Sequence, residues 1–443
     1  MTAAGSLGWV GIARLGLVQT GLGAVVVLTT SVLNRLMVVE FALPATLSGL
    51  LVGVYYAMQM LRPRMGHGSD VGGRRTPWII GGMAVLCVGA MLAAIATGMM
   101  DGPLLPALAL AIPAFILVGA GVSACGTALL VLLAARVAPE RKAAAASIVW
   151  IMMIAGFVLT TALAGRALDP YSAGRLLMVT TIVAAIAFTL AAVAILGIEG
   201  PAVAPDIASR PAAIDFRAAI AEVWAEPVAR HFTLFVFVAM LAYSAQDLVL
   251  EPFAGAIFGM TVGETTQLSS FQHGGVLVGM IAIALIGRLT GGRLSALRGW
   301  IQAGCGAASV VLVLLAGAGM MRGAVPLPVL YVALGVANGV FAAAAIAAMM
   351  QLAARGATGR DGVRMGIFGA AQAIAFGLGG LAGTVLLDAA RLVAGTALGG
   401  YVTVFLANAV LFLCAAVMAQ RIGLAGAPGE DRRHPLKPAT HGP

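Results

Sequence analysis

Two carboxylates four residues apart, Asp247 and Glu251, lie inside an apolar run together with Gln246, and a third, Glu40, closes another apolar run that also contains Arg35. Ionisable groups at such positions each cost about 2.5 to 3.5 kcal/mol at the centre of a bilayer, so they persist where a partner or a task compensates. Residues four apart share one face of a helix. The expectation is that Arg35 pairs with Asp247 or Glu251 across an interface, with Glu40 and Gln246 in the same polar network. The plainer alternative is that the carboxyls are protonated and only pack. Proton coupling and a mechanical latch are both open to such a set.

The elements that must position these residues are membrane helices. Of 443 residues, 61% are hydrophobic and only 10% charged, against about a quarter charged in a soluble domain. Runs of about 20 apolar residues place spans near 12–38, 45–62, 77–99, 104–135, 143–165, 174–197, 231–260, 264–287, 299–320, 326–354, 363–387 and 393–420. The first run is too long, and lacks the flanks, for a cleavable signal. The even loops and the ends carry 21 Lys and Arg against five in the odd loops, which puts both termini in the cytoplasm. The net charge of +9 is accounted for by this topology and needs no nucleic-acid partner. Trp78 and Trp300 read as interfacial anchors.

A polar, Pro- and Ala-rich stretch divides six spans from six. The expected organisation is an N-terminal half over 1–200, a cytoplasmic linker over 201–229 with an amphipathic piece from Ile214 to Trp224, a C-terminal half over 230–422 and a cytoplasmic tail over 423–443. The loop Gly66-His67-Gly68-Ser69-Asp70-Val71-Gly72-Gly73-Arg74-Arg75 resembles the signature between helices two and three of the major facilitator superfamily, with Val71 where a basic residue is usual. Its glycines allow a tight reversal, Asp70 can meet a helix N-terminus, and the arginines suit an anionic leaflet. The implied fold is an all-α integral membrane bundle of twelve helices in two six-helix halves, with a site between them.

Among 58 glycines, the pairs Gly275/Gly279, Gly335/Gly339 and Gly379/Gly383 make smooth helix faces, suited first to helix packing and otherwise to a large planar ligand. Cys87, Cys125, Cys305 and Cys414 fall in spans without paired spacing and read as small apolar residues, with neither disulfide nor zinc site expected. No nucleophile elbow, phosphate-binding loop or Cys/His cluster is present, and an enzyme is not expected.

Leu33-Asn34-Arg35-Leu36-Met37-Val38-Val39-Glu40 with Leu43-Pro44, and Gln246-Asp247-Leu248-Val249-Leu250-Glu251-Pro252-Phe253 with Phe258-Gly259, resemble the first- and seventh-helix patterns of the PucC-type family. The run from Arg62 to Trp78 is closer to the branch labelled as a chain of bacteriochlorophyll synthase. The resemblance implies a membrane factor that handles bacteriochlorophyll, or a late precursor, and assembles light-harvesting complexes in a photosynthetic intracytoplasmic membrane. Antenna polypeptides, and also the synthase, would be its partners. A chlorin magnesium takes one hard or borderline axial donor. His273, the one histidine well inside a span, is the first candidate, with Gln272 and Asn338 as amide donors and Gly274 and Gly275 as cleared space for the ring. A histidine hydrogen-bonded within the core is the plainer reading. Two further functions stay open, a proton-coupled secondary transporter of a small solute and a non-catalytic accessory subunit of the synthase.

Overall fold

The computed structural model describes residues 7–62, 64–65, 74–138, 141–199, 224–289, 294–321, 326–354 and 361–421. It is all-helical. The helices are α1 (Trp9–Glu40), α2 (Ala45–Leu61), α3 (Thr76–Gly98), α4 (Leu104–Arg136), α5 (Lys142–Leu168), α6 (Ala173–Ile195), α7 (Pro227–Phe258), α8 (Val262–Leu289), α9 (Leu294–Met320), α10 (Leu327–Ala354), α11 (Asp361–Ala394) and α12 (Ala397–Ala419). Eleven are long and apolar enough to cross a membrane, and α2 is a shorter apolar helix. The chain is a multi-pass membrane protein. Its two ends are called here the Arg-rich face, where α2 ends and α3 begins, and the Arg-poor face, where α1 ends and α2 begins.

Two hydrophobic cores organise the bundle. One is built from α1–α6 and takes in Leu248 and Val262, while the other is built from α7–α12 and takes in Val38 and Ala45. The halves meet where α5 packs on α8 and α2 on α11. These crossings are close because the sequence supplies glycine there. A Cβ on Gly49 would stand 2.0 Å from Thr384 Oγ1, and one on Gly263 would stand 2.3 Å from the Gly165 carbonyl.

The helix ends follow local chemistry. Gly259 terminates α7 at φ +70°, a conformation that suits glycine. Ser172 and Thr396 cap α6 and α12, accepting from Arg175 N at 3.2 Å and Gly399 N at 3.1 Å. The expected boundary that moves furthest lies between the last two helices. The eleventh helix does not stop at 387 but runs to Ala394, ended by Gly395 at φ +65°, and the twelfth begins at Ala397 rather than 393. Arg391 is accommodated inside the helix because its guanidinium donates to the Tyr401 hydroxyl at 2.6 Å and lies 4.8 Å from that ring.

The glycine pairs are packing surfaces. Cβ atoms on Gly335, Gly339, Gly275 and Gly279 would approach carbonyl oxygens of the facing helix at 2.0, 2.2, 2.4 and 2.5 Å, which joins α8 to α10 along its length. Gly379 and Gly383 meet Leu241 and Ala245 of α7 in the same way. None of these six offers a free groove for a planar ligand.

Candidate functional site between the halves

Helix α1 is irregular where it meets the other half. Two wider turns, Leu28–Val32 and Leu36–Glu40, flank Asn34 and Arg35. Such bulges recur at functional positions. Helix α7 is irregular at the same crossing because Pro252 lacks an N–H and leaves the Leu248 carbonyl without its helical donor. Asn34 Nδ2 fills that gap from the other half at 2.7 Å, while Asn34 Oδ1 accepts from Ser48 Oγ of α2 at 2.5 Å. Three helices are thereby tied through one amide.

Glu251 sits beside this tie, 1% exposed. Its Oε1 accepts from Ser31 Oγ of α1 at 2.7 Å and from Ser269 Oγ of α8, so one carboxyl oxygen joins the two halves. Its Oε2 has no hydrogen-bond partner among the described residues. Tyr331 of α10 donates its hydroxyl to the Leu250 carbonyl at 2.7 Å and closes the site from behind.

Arg35 departs from expectation. It is 1% exposed, and its ion pair is with Glu40 on its own helix rather than with Asp247 or Glu251. The wide turn brings residues five apart onto one side, which an ordinary α-helix does not. Arg35 still bridges the halves, because its second terminal nitrogen donates to the Met260 carbonyl after α7 at 2.7 Å. The guanidinium lies close enough to Glu251 to act on it through space without pairing. The expected single network is therefore split by depth, with Arg35 and Glu40 nearer the Arg-poor face and Glu251 deeper. Asp247 is deeper again, beside Gln272, and Gln246 is fully buried with neither side-chain polar atom partnered among the described residues.

Two carboxylates outside that set complete the seam. Asp388, near the end of α11, accepts from Ala45 N at 3.1 Å and from Thr46 N and Oγ1, each at 2.7 Å, at the start of α2. Asp169, just past α5, accepts from Thr261 Oγ1 at 2.6 Å and Gly263 N at 3.0 Å at the start of α8. Each half thus sets a carboxylate on the positive N-terminus of a helix in the other. Sequence reading passed over both residues because they stand at helix ends, where acidic residues are common. Their equivalent places at the ends of helices five and eleven were the available signal.

A cavity of about 540 Å³ opens beside this seam, lined by Arg35, Glu40, Asp169, Tyr171, Gly255 and Thr261 among others. Burial pushes the Tyr171 phenol above its usual range, and the charges of Glu40 and Asp101 push it further.

His273 is buried on α8. Its Nδ1 lies 2.8 Å from the Ser269 carbonyl, which can only accept, so Nδ1 carries the proton. Its ring meets Phe157 of α5 edge-on at 5.1 Å. Gly274 has open space around it, whereas the space at Gly275 is filled by α10. Asn338 is fully buried on α10, and among the described residues neither its Oδ1 nor its Nδ2 has a partner. Among the described residues no group of three or more His, Cys, Asp or Glu is placed to hold a metal ion.

Of the loop signature, Gly66, Asp70 and Gly73 lie outside the described residues, as does most of the linker and the tail. Arg74 and Arg75 lead into α3. The N-terminus of α3 is held by Glu199, which accepts from Arg75 N and, at 2.8 Å, from Thr76 N, while Arg136 donates to the Glu199 carbonyl at 2.9 Å. Partial burial raises the Glu199 pKa, but these hydrogen bonds and the Arg75 charge outweigh it and hold the carboxyl below its ordinary value.

Comparison with known proteins agrees with this architecture. Over 92% of its length the chain superposes on a bacterial homolog of the human lysosomal transporter Spinster, covering 95% of that chain at TM-score 0.67 and 15% identity. It matches a bacterial homologue of the human peptide transporters PepT1 and PepT2 at TM-score 0.67 and 14% identity, over 93% of this chain and 97% of that one. These likenesses show the fold, that of major facilitator transporters. In sequence, the chain is 48% identical to the "Bacteriochlorophyll synthase 44.5 kDa chain" of Rhodobacter capsulatus, covering 96% of this chain and 98% of the relative. It is 29% identical to "Protein PucC" of the same organism, over 92% and 90% of the two chains. The family model described as PUCC protein matches residues 32–426. The chain belongs to the PucC family.

Proposed function

We propose that this protein is a non-catalytic factor that handles bacteriochlorophyll, or a late precursor of it, within the photosynthetic intracytoplasmic membrane and passes it to light-harvesting antenna polypeptides. The observation that carries this reading is the 48% identity, over nearly the whole of both chains, to a relative named for bacteriochlorophyll synthase. The transporter fold supports it physically, since two halves that close on a central space can take up and release a hydrophobic cargo without making or breaking bonds in it. Both termini face the cytoplasm in this reading, in line with the arginine distribution. The word synthase in the relative's name fits an accessory role beside the enzyme, with the cargo received from it.

The test is deletion in the native host. Membranes are expected to lose assembled antenna absorption while unassembled pigment accumulates, and the wild-type chain supplied in trans restores them. Unchanged antenna content in the deletion strain would contradict the reading.

A proton-coupled transporter of a small solute is the second reading, favoured by one observation, the buried carboxyl of Glu251 held by hydroxyls from both halves. Solute uptake into vesicles driven by a pH gradient, and lost in Glu251→Gln, would support it over the first.

A further inference from the structure

Asp247 stands one turn before Glu251 on α7, yet the two carboxyls meet different surroundings. Glu251 is occupied by the serine hydroxyls that join the halves. Asp247 remains partly accessible, whereas Glu251 is buried. The amide of Gln272 from α8 lies against it, and among the described residues no cationic side chain acts on it.

Aromatic rings stand around that carboxyl. Tyr243 stands one turn before Asp247 on α7, and Tyr56 of α2 comes within its electrostatic reach from the opposite half. Phe376 of α11 joins them, its ring centroid 5.5 Å from that of Tyr56 and 5.7 Å from that of Tyr243. All three rings are half-buried. With aromatic residues only 6% of the chain, this grouping is a local concentration of ring surface at the junction of the halves. Gln272 Nε2 makes no well-formed hydrogen bond.

We propose that Asp247 is the metal-facing contact for a flat metallated macrocycle that sits beside Tyr56, Tyr243 and Phe376 at the junction of the two halves. The proposal rests on the pigment-handling reading and assigns the cargo contact within it. Aromatic rings make favourable offset-stacked and edge-on contacts with a π-plane. A carboxylate oxygen is a hard donor of the kind magnesium prefers. An ionised carboxylate inside a membrane is stabilised by a positive partner, and the described side chains supply Asp247 with none. Asp247 thus replaces His273 as the first candidate. The histidine is tied through Nδ1 to Ser269, its ring edge is against Phe157, and α10 fills the space at Gly275.

The experiment uses the full-length protein in nanodiscs, titrated with a magnesium chlorin and with its magnesium-free counterpart, read by induced circular dichroism and the shift of the long-wavelength absorption band. The wild-type protein is expected to bind the magnesium form at least about tenfold more tightly. Asp247→Asn, nearly isosteric, should lose that preference while still binding both forms weakly, and Asp247→Glu should recover part of it. Tyr243→Leu combined with Phe376→Leu should weaken both forms alike, and His273→Phe should change neither. A monodisperse elution profile for each variant confirms that the fold is intact. Asp247→Asn that keeps wild-type affinity and metal preference would overturn the assignment while leaving the pigment reading in place. Absence of binding by the wild-type protein to either form would overturn both.

Discussion

Asn34 Nδ2 of α1 lies 2.7 Å from the Leu248 carbonyl of α7, the oxygen that Pro252 leaves without a helical donor. A break in one half is therefore satisfied by a side chain of the other, which links their relative position to hydrogen bonding inside the membrane. Asn34→Ala leaves the carbonyl unpaired and is expected to destabilise the protein by about 1–3 kcal/mol. Pro252→Ala supplies an N–H to the same oxygen and should recover much of that loss in the double variant. Thermal unfolding in detergent across the four-protein cycle measures the coupling, and strictly additive losses would show that the two residues act independently.

The pair of carboxylates at the Arg-poor seam should hold it closed cooperatively. Removing the charge with Asp388→Asn or Asp169→Asn is expected to weaken closure by about 1 kcal/mol each. The double variant should open the seam more than either single change. Maleimide labelling of Tyr171→Cys, in a background without the native cysteines, reports the opening, since Tyr171 lines the cavity beside Asp169. Labelling that stays at the parent rate in the double variant would show that the caps do not control closure.

Much of the fold was legible because its causes are local. Apolar runs, arginine-bearing loops and the scarcity of charge define twelve helices, and the unusual residues Arg35, Asp247 and Glu251 stood out against that background. Their partners were not legible. Arg35 pairs with Glu40 because wide turns change which residues face each other, and periodicity arguments assume a regular helix. Ser31 and Ser269 hold Glu251, but isolated serines carry no pattern. Gly274 and Gly275 look alike in sequence, and only the approach of α10 separates the open one from the filled one. The sequence predicts too early an end for α11 because Asp388 and Arg391 resemble loop residues, whereas their charges are satisfied by α2 and by Tyr401.

The two kinds of glycine should respond differently to substitution. Gly335→Val or Gly339→Val places atoms against the α8 backbone and is expected to cost about 1–3 kcal/mol or more. Gly274→Ala meets open space, and in a helix interior alanine gains about 1 kcal/mol over glycine. Melting temperatures in one detergent compare them directly, and equal losses at Gly335 and Gly274 would contradict the packing described.

Glu199 gives a pH signature at the Arg-rich face. Its pKa in the folded protein lies below the ordinary value, so its contribution is complete above that ordinary value and is lost as pH falls through the lowered one. Glu199→Gln should therefore be less stable than the parent at neutral pH, with the gap narrowing on acidification. A gap independent of pH would remove the carboxylate from the account.

A pigment held between the halves would travel with the protein, and the absorption spectrum of the protein purified in mild detergent from its own photosynthetic membrane reports it. A bacteriochlorophyll-type band in fixed proportion to protein, retained in His273→Phe and diminished in Asp247→Asn, is the predicted result. Colourless wild-type protein from pigment-replete membranes would contradict it.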